Sequence, residues 1–520
     1  MNRQVYRIFI ISFALLLSFK AYYRVYSFTE IDIQYPFGPD ISIWGKAAVM
    51  AKYSAPQTVP PAYPELISVL SFDDGLVSGA IRANTLSIIA TILGCFLGIT
   101  WIIRNRIAGI LVAATASIMA IYTYPFFPYV YYMQPDIMTM GVFSLCIASI
   151  IAVMRFRNRL AALCFGFWIG VAFSTREHGI ILLFSSCCLM WWFFRFRSRI
   201  LIYIFGIQLG GGLGAGAITM PFFHPHGGIN GSLTKAQVVL IDIITQKTEE
   251  NTFQQTVYEK NASSANNFIG FFHNIMMQSI EKSTDFHPQI LLMLLGILSL
   301  YFYSNAKKRT GIMIFISCSP LLASFFVWTQ WRHFLVLLPI MTILGWGGIS
   351  VLSYRFLRSF NVIPIVGYAA FCIYLLTPYQ QISAIQTKEN ILALQKKYTD
   401  EIRLSQELRF LDDGKSLVMG APIFSILTGM PPISLDGSEL LPPTLPKYPN
   451  FVYWTYIVTQ EPLGSRWELQ NKVGKYYLYQ SAQPKNIDSN CLKGEWNGPI
   501  VENVPQGKSR LRPRKPKSCL

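Results

Sequence analysis

Of the 520 residues in this chain, 52% are hydrophobic and only 14% are charged, a composition too apolar for a soluble globular protein of this length. The mean hydropathy of +0.37 agrees with a chain that spends much of its length in a membrane. The formal net charge of +17 is carried largely by short basic clusters between apolar runs, so it does not indicate nucleic-acid binding.

The polar breaks on one side of the apolar runs are basic and contain no acidic residue, and this asymmetry predicts the membrane topology. The six clusters are Arg3/Arg7, Arg104/Arg106, Arg155/Arg157/Arg159, Arg195/Arg197/Arg199, Lys307/Lys308/Arg309 and Arg355/Arg358. Lys and Arg beside membrane spans stay on the cytoplasmic side. The acidic, His-containing and Pro-rich segments between the clusters are therefore expected outside.

The apolar runs between these clusters predict a membrane α-helical fold of about eleven transmembrane helices, with the N-terminus cytoplasmic and the C-terminus external. The predicted spans are approximately residues 8–27, 78–103, 107–122, 137–154, 160–175, 178–194, 200–221, 288–304, 311–328, 334–353 and 362–378. The first is interrupted by Lys20 and Arg24. We interpret it as an uncleaved anchor; a cleaved signal would leave about ten spans.

Three long outer segments are predicted: residues 28–77, residues 222–287 and the C-terminus from residue 379. The Pro and aromatic residues of the first segment are typical of short, broken helices that lie along the membrane interface. The chain therefore divides into a transmembrane module over residues 1–378 and an external domain over residues 379–520.

The external domain has the pattern of a small α/β fold with a basic tail. A helical pattern covers Ala384–Leu411 and is followed by three β-type apolar runs, Ser416–Met419, Phe451–Val458 and Tyr476–Gln480. Only Cys491 and Cys519 fall in this domain, and the remaining cysteines lie in or beside apolar spans. An oxidising compartment favours a disulfide between the two, with two free thiols as the alternative.

Acidic residues occur at several predicted outer helix ends, where a buried charge without a role is costly. Asp40 opens a helical stretch with small residues along one face, and Asp136 stands where the predicted fourth span begins. These two are candidates for function. Glu30, Asp73 and Asp74 are interpreted as interfacial carboxylates in contact with water.

Several short motifs follow one another in the predicted outer regions. They are Asp40 with the helical stretch behind it, the turn Pro60-Pro61-Ala62-Tyr63-Pro64-Glu65, Tyr132-Met133-Gln134-Pro135-Asp136, Ser174-Thr175-Arg176-Glu177-His178-Gly179, Trp331-Arg332-His333-Phe334, and Gly420-Ala421-Pro422 through Leu427-Thr428-Gly429. In this order they resemble the GT-C superfamily of integral-membrane glycosyltransferases that use polyprenyl-phosphate sugars. That superfamily contains the protein O-mannosyltransferases and the lipid A aminoarabinose transferase.

The resemblance implies transfer of a sugar from a polyprenyl-phosphate donor to a hydroxyl of a lipid, glycan or protein acceptor. The reaction would invert the anomeric centre at the outer face of a bacterial inner (plasma) membrane. A loop acid would be the base, Asp136 a second acidic residue of the site, and Tyr63 a donor-binding residue. The resemblance leaves open a divalent metal ion, because part of the superfamily holds one with loop acids.

The chain departs from the family pattern in two places. The family's first outer loop has paired acids, whereas Asp40 is followed by Ile41 and Asp32 lies eight residues earlier, so either Asp40 or Asp32 is the expected base. The family's Arg-Tyr pair is Arg332-His333 here, so a tyrosine role at that position has no counterpart.

A lipid-phosphate leaving group needs cations at headgroup level and a carboxylate nearby to accept the acceptor's proton. Arg176 and its neighbours Glu177 and His178 fall in the short turn between two predicted spans at the outer side. Arg332 and Arg82, each beside a predicted outer helix end, could complete a phosphate clamp by bidentate pairing. For Arg82, snorkelling to lipid headgroups is an equally good interpretation.

Other chemistries have weaker sequence signals. His224-Pro225-His226 has no carboxylate at metal-ligand spacing. A transporter or flippase of a lipid-linked saccharide is the alternative function, but it predicts repeat symmetry and matching broken helices that the sequence lacks. A membrane scaffold explains the external domain but not the charged helix ends.

Overall fold

The computed structural model describes residues 33–38, 41–52, 60, 62–72, 75–103, 113, 116–117, 130–156, 159–176, 206–214, 287–301, 335–356, 388–411, 416–419, 422–430, 432–433, 452–460, 462, 467–481, 485–486, 501–502 and 510–511. In chain order its helices are α1 (Ile41–Lys52), α2 (Ala62–Leu70), α3 (Leu76–Ile102), α4 (Asp136–Phe156), α5 (Arg159–Thr175), α6 (206–214), α7 (His287–Tyr301), α8 (Leu338–Phe356), α9 (388–397), α10 (Thr399–Leu411) and α11 (Pro422–Thr428).

Helices α3, α4, α5, α7 and α8 lie within a few residues of the spans that the apolar runs predict, and α6 lies inside the run 200–221. Within the described residues, α3 and α4 are long and apolar enough to cross a membrane, while α5 and the stretch Leu335–Val351 are apolar but shorter. The predicted spans at 8–27, 107–122, 178–194, 311–328 and 362–378 fall wholly or largely outside the described residues.

Small residues allow α3 and α4 to pack closely side by side. A Cβ on Gly94 of α3 would clash with Ser144 of α4, whose Oγ donates a hydrogen bond to the Ala90 carbonyl at 2.9 Å. Close contact at Gly and Ser is typical of helices that associate without a hydrophobic driving force, as in membranes. The two helices run parallel, so both begin at the same end of the bundle, while α5 returns antiparallel to α4.

The first outer segment forms two short helices, α1 and α2, which pack on each other and on the start of α3. Pro64 is tolerated in the first turn of α2, because the amide hydrogen it lacks has no intrahelical partner there. The turn into α3 ends at Gly75, whose φ of +91° suits glycine. These helices cover the end of the bundle at which α3 and α4 begin.

The C-terminal strands are β1 (Ser416–Met419), β2 (Pro432–Ile433), β3 (Val452–Thr459), β4 (Trp467–Val473), β5 (Tyr476–Ser481), β6 (Lys485–Asn486), β7 (Val501–Glu502) and β8 (Arg510–Leu511). The main sheet has the order β2-β1-β3-β5-β4, with β6 pairing β3, and β7 pairs β8 separately. Strands β1, β2 and β3 are parallel, and β5 is antiparallel to β3 and β4.

The two-residue strands β2, β6, β7 and β8 are absent from the sequence interpretation, and two longer elements of this region also differ from it. The sequence interpretation does not contain strand β4, because its residues lack a sustained alternation of apolar and polar side chains. The described side chains from Glu468 to Lys472 are all exposed. It is held by β5 through a two-residue turn in which Gly474 has a φ of +54°. The helical pattern Ala384–Leu411 is a helix over 388–397, a turn at Tyr398 and then α10.

Candidate functional site

An ion pair lies buried at the end of the bundle covered by α1 and α2. Arg176 Nη2 is 2.9 Å from Asp136 Oδ1, and the two side chains are 10% and 1% exposed. Within the described residues no hydrogen bond reaches either Asp136 oxygen beyond this ion-pair contact. Asp136 Oδ2 is therefore a buried acceptor that a hydroxyl group of a ligand could satisfy.

The antiparallel packing of α4 and α5 brings the two residues together. Asp136 is the first residue of α4, and Arg176 directly follows the last residue of α5, with its amide bonded to the Ala172 carbonyl at 2.9 Å. A carboxylate at a helix N-terminus and a guanidinium at a helix C-terminus are each favoured by the helix dipoles. The sequence distance of 40 residues is thus bridged by one helical hairpin.

Asn84 of α3 holds the turn that precedes Asp136. Its Nδ2 donates to the carbonyls of Val130 and Tyr132, both at 2.8 Å. The Tyr63 hydroxyl of α2 lies 3.3 Å from Asn84 Oδ1 and 3.4 Å from the Tyr132 carbonyl, so its one proton serves these two acceptors. Burial raises the pKa of Tyr63, and the negative charge of Asp136 acts in the same direction. Tyr63 is therefore a neutral hydrogen-bonding group.

The start of the first outer loop lies against the same turn. The Met133 amide donates to the Phe37 carbonyl at 2.8 Å, and the rings of Phe37 and Tyr132 stack at 5.6 Å. Gly38 follows with a φ of +121°, and a Cβ there would be 3.1 Å from Gln134 Nε2. Because position 38 is a glycine, the loop backbone can approach the Gln134 side-chain amide. Gly38 lies two residues before Asp40 in the chain.

Two more polar side chains are buried at this end of the bundle without hydrogen-bond partners among the described residues. Gln134 is 1% exposed and Glu65 is 3% exposed, and the part of the chain that the structure describes offers no partner to the Gln134 amide or the Glu65 carboxyl. Burial raises the pKa of Glu65 to about 8. Unpaired buried polar groups cost stability, and in native proteins they mark places where a ligand or a functional demand supplies the compensation.

The structure brings Asp136, Arg176 and Tyr63 into one region, and Arg82 contacts the end of α2. Arg82 Nη1 donates to the Leu70 carbonyl at the end of α2 at 2.9 Å, and its guanidinium lies over the Phe72 ring. The predicted site residues Asp40, Asp32, Glu177, His178, Arg332 and His333 lie outside the described residues, as do Cys491 and Cys519.

Sequence reasoning assigned no role to Asn84, Gln134 or Glu65. Asn84 has a usable signal, since it is the one amide side chain in the apolar run 78–103. Gln134 and Glu65 stand inside motifs that carry the family resemblance. Only the three-dimensional structure shows that their side chains are buried and have no partner among the described residues. In the part of the chain that the structure describes, no group of three or more His, Cys, Asp and Glu side chains could hold a metal ion.

No protein-family model and no curated protein matches the chain by sequence. By structure the chain is similar to ArnT from Cupriavidus metallidurans in the apo state, with 13% identity and a TM-score of 0.50 over 94% of this chain and 99% of that one. It is also similar to ArnT from Cupriavidus metallidurans bound to undecaprenyl phosphate, with 12% identity and a TM-score of 0.49 over 92% of this chain and 98% of that one.

A third similar structure is the Archaeoglobus fulgidus oligosaccharyltransferase in complex with Zn and sulfate, with 12% identity and a TM-score of 0.49 over 82% of this chain and 62% of that one. The match to the apo ArnT structure covers nearly the whole of both chains. The chain therefore shares the fold of ArnT from Cupriavidus metallidurans.

Proposed function

We propose that this protein is an integral-membrane glycosyltransferase that moves a sugar from a polyprenyl-phosphate donor to an acceptor hydroxyl. The observation that carries the proposal is the buried Asp136–Arg176 ion pair. It lies beneath the first outer loop and two residues from Gln134, whose amide has no partner among the described residues. It lies in a GT-C fold, and the ArnT of Cupriavidus metallidurans binds undecaprenyl phosphate. Fold likeness supports the donor class, while the acceptor class stays wide: a lipid, a glycan or a protein.

The proposed reaction is a single displacement. The acceptor oxygen bonds to the anomeric carbon as the bond from that carbon to the phosphate oxygen breaks. The acceptor proton passes to a loop carboxylate, Asp40 or Asp32, and the polyprenyl phosphate leaves with the electron pair. Attack from the face opposite the phosphate inverts the anomeric configuration.

The cationic side chains are assigned to the leaving phosphate. Arg176, held in place by Asp136, is the described cation of this site, and Arg332, Glu177 and His178 are proposed to extend it. Guanidinium groups suit a phosphate because they pair with it in bidentate geometry. The second role proposed for Asp136 is to accept a hydrogen bond from the sugar or the acceptor through Oδ2.

The proposal includes a topology. The N-terminus is cytoplasmic, about eleven helices cross the membrane, and the covered end of the bundle with its site faces outward, because Arg155 and Arg159 lie at the opposite ends of α4 and α5. Residues 379–520 form an external domain, and a Cys491–Cys519 disulfide ties its basic tail. The membrane is the bacterial inner (plasma) membrane.

An assay that requires neither the sugar nor the acceptor to be known tests this function. Purified protein in lipid nanodiscs is incubated with a total lipid extract and with a soluble extract that supplies glycan and protein acceptors, and polyprenyl phosphates are followed by mass spectrometry. We expect free polyprenyl phosphate to appear as a polyprenyl-phosphate sugar disappears, and the mass difference identifies the sugar. Of Asp40→Asn and Asp32→Asn, one should be nearly silent and the other should lose ~10²–10⁴ in rate.

The rival function has a different outcome in the same preparation. A flippase would leave every lipid mass unchanged and would move lipid-linked saccharide between the leaflets of a vesicle. Wild-type protein that releases no polyprenyl phosphate when lipid, glycan and protein acceptors are all supplied, with or without added divalent metal, would contradict the transferase.

A further inference from the structure

Helix α11 of the C-terminal region has one face in each of two hydrophobic cores. Phe424 is buried in the core under the sheet, with Leu404 and Leu408 of α10. Ile426 and Leu427 are buried in the helical core that contains α1, α2 and α3. A seven-residue helix with opposite faces in both cores ties the sheet to the first outer loop.

The contact between α11 and α1 is close because α1 has a glycine there. A Cβ on Gly45 would be 2.6 Å from Ile426 Cδ1, well inside van der Waals contact. On a neighbouring part of α1, Trp44 meets the Tyr63 ring edge-on with centroids 6.0 Å apart. Helix α1 is therefore held between the C-terminal region and the residue that hydrogen-bonds the turn before Asp136.

The C-terminal helices also hold the loop on the other side of Asp40. Tyr398, between α9 and α10, stacks on Tyr35 with ring centroids 4.4 Å apart and planes 4° from parallel. Gln406 Nε2 of α10 donates to Gln34 Oε1 at 3.2 Å. In the chain, Asp40 thus stands between a segment held by Tyr398 and a helix held by Ile426.

Arg409 adds a third contact, to the first described span. Its Nε donates to the Leu427 carbonyl at 2.8 Å, which satisfies a carbonyl in the last turn of α11. The same guanidinium lies against Gly75 at the start of α3, where any side chain would collide with it. Helices α10 and α11 therefore bind each other, the loop and α3.

From these contacts we infer that the C-terminal unit, residues 388–486, positions the first outer loop for sugar transfer, with Ile426 and Tyr398 as positioning residues. The inference rests on the proposed function, because that function takes its base, Asp40 or Asp32, from the first outer loop. General-base catalysis depends on placement, and a displacement of about 1 Å costs ~100-fold in rate. The phosphate-binding Arg176 belongs to a different element, so a shift of α1 should impair turnover and leave donor-lipid binding intact.

A size-compensation cycle tests the role of Ile426. Alanine is the better helix former, so Gly45→Ala should favour α1 unless the new methyl group meets Ile426. We expect Gly45→Ala to slow polyprenyl-phosphate release about 10- to 100-fold, with the Kd for added undecaprenyl phosphate within about twofold of wild type. Adding Ile426→Ala to Gly45→Ala removes the atoms that the new methyl group would meet. The double variant should recover at least a tenth of the polyprenyl-phosphate release rate that Gly45→Ala loses.

Two controls separate positioning from loss of structure. Gly212→Ala is the matched substitution, because nothing lies within 4 Å of a Cβ at that exposed position of α6, and its release rate should equal that of wild type. Tyr398→Phe keeps the stacked ring and should keep the rate, whereas Tyr398→Ala should slow release with undecaprenyl-phosphate affinity retained. The inference is overturned if Gly45→Ala leaves the release rate unchanged. It is also overturned if the double variant loses as much rate as the two single variants added together.

A cross-linking measurement distinguishes this inference from the proposed function. Gln406 and Gln34 are exposed, so a photo-reactive benzoylphenylalanine at position 406 should cross-link to the peptide containing Gln34 in the full-length protein. If the cross-link forms but the wild-type protein releases no polyprenyl phosphate, both the proposed function and the positioning role are wrong. Only the contact between the C-terminal helices and the first outer loop then remains. Active protein without the cross-link overturns the inference alone.

Discussion

The Asp136–Arg176 ion pair supports a double-mutant cycle with a predictable sign. Replacing Arg176 by Gln leaves the Asp136 carboxylate, 1% exposed, buried without its counter-charge. Removing one member of a buried pair costs ~3–5 kcal/mol, mostly because the remaining charge stays desolvated. Asp136→Asn with Arg176→Gln removes both charges, so the double variant should lose less free energy of unfolding than the two single variants together, with a coupling of at least ~2 kcal/mol.

The cycle is measured by unfolding in mixed detergent micelles, using the free energy at a fixed denaturing-detergent fraction. Arg159→Gln is the matched control, because Arg159 is the exposed first residue of the same helix, α5, and its loss should stay within about 0.5 kcal/mol. Undecaprenyl-phosphate binding is measured on the same proteins. The double variant should regain stability without regaining lipid affinity.

Additive losses in the double variant would refute the reasoning, since they mean that neither residue depends on the other's charge. The reasoning would also be refuted if Arg176→Gln were as stable as Arg159→Gln. A buried Asp136 carboxylate without its counter-charge would have to destabilise the Arg176→Gln protein. If the double variant binds undecaprenyl phosphate as tightly as wild type, the ion pair has only a structural role. Arg176 then does not belong to the phosphate site.

Three further predictions use other parts of the chain. The pKa of Glu65 rises from 4.5 to about 8 on folding, so the folded protein binds the proton more tightly and the stability contributed by this group falls as the pH rises from about 4.5 to 8. Glu65→Gln should therefore melt close to wild type at pH 5 and several degrees higher than wild type at pH 8; a gap that does not change with pH contradicts this. Asn84→Leu leaves the Val130 carbonyl without its Asn84 donor and should cost ~1–3 kcal/mol, more than Tyr63→Phe, in the same micelle unfolding experiment. Single-cysteine probes at Thr234 and Gly498 should react with membrane-impermeant reagents in intact cells, and a reactive probe at Arg157 would reverse the proposed topology.

The helical part of the fold could be predicted because membrane helices follow a one-dimensional rule. A backbone in lipid must satisfy its own hydrogen bonds, so each span appears as a long apolar run. The runs 78–103 and 137–154 predict α3 and α4 within a few residues. Strand β4 escapes such a rule, because a polar edge strand is defined by the partner it pairs with and not by its own residues.

The candidate site divides in the same way. Asp136 and Arg176 can be singled out from the sequence, because charges at the ends of apolar runs are costly unless they have a role. Their pairing could not be, because it depends on which helix packs beside α4. Nor could the isolation of Gln134 and Glu65, since a polar residue in a motif shows no sign of whether a partner will reach it.

By itself, therefore, the sequence determined the membrane class and the positions of the described helices, and it predicts an orientation, since each depends on local composition and local charge. Tertiary structure alone decided that Asp136 faces Arg176 and that Asn84 and Tyr63 hold the turn before Asp136. It also decided that Ile426, 381 residues beyond Gly45, packs against the helix that follows Asp40. These contacts join residues far apart in the chain, and their energies come from packing and desolvation, which no local pattern encodes.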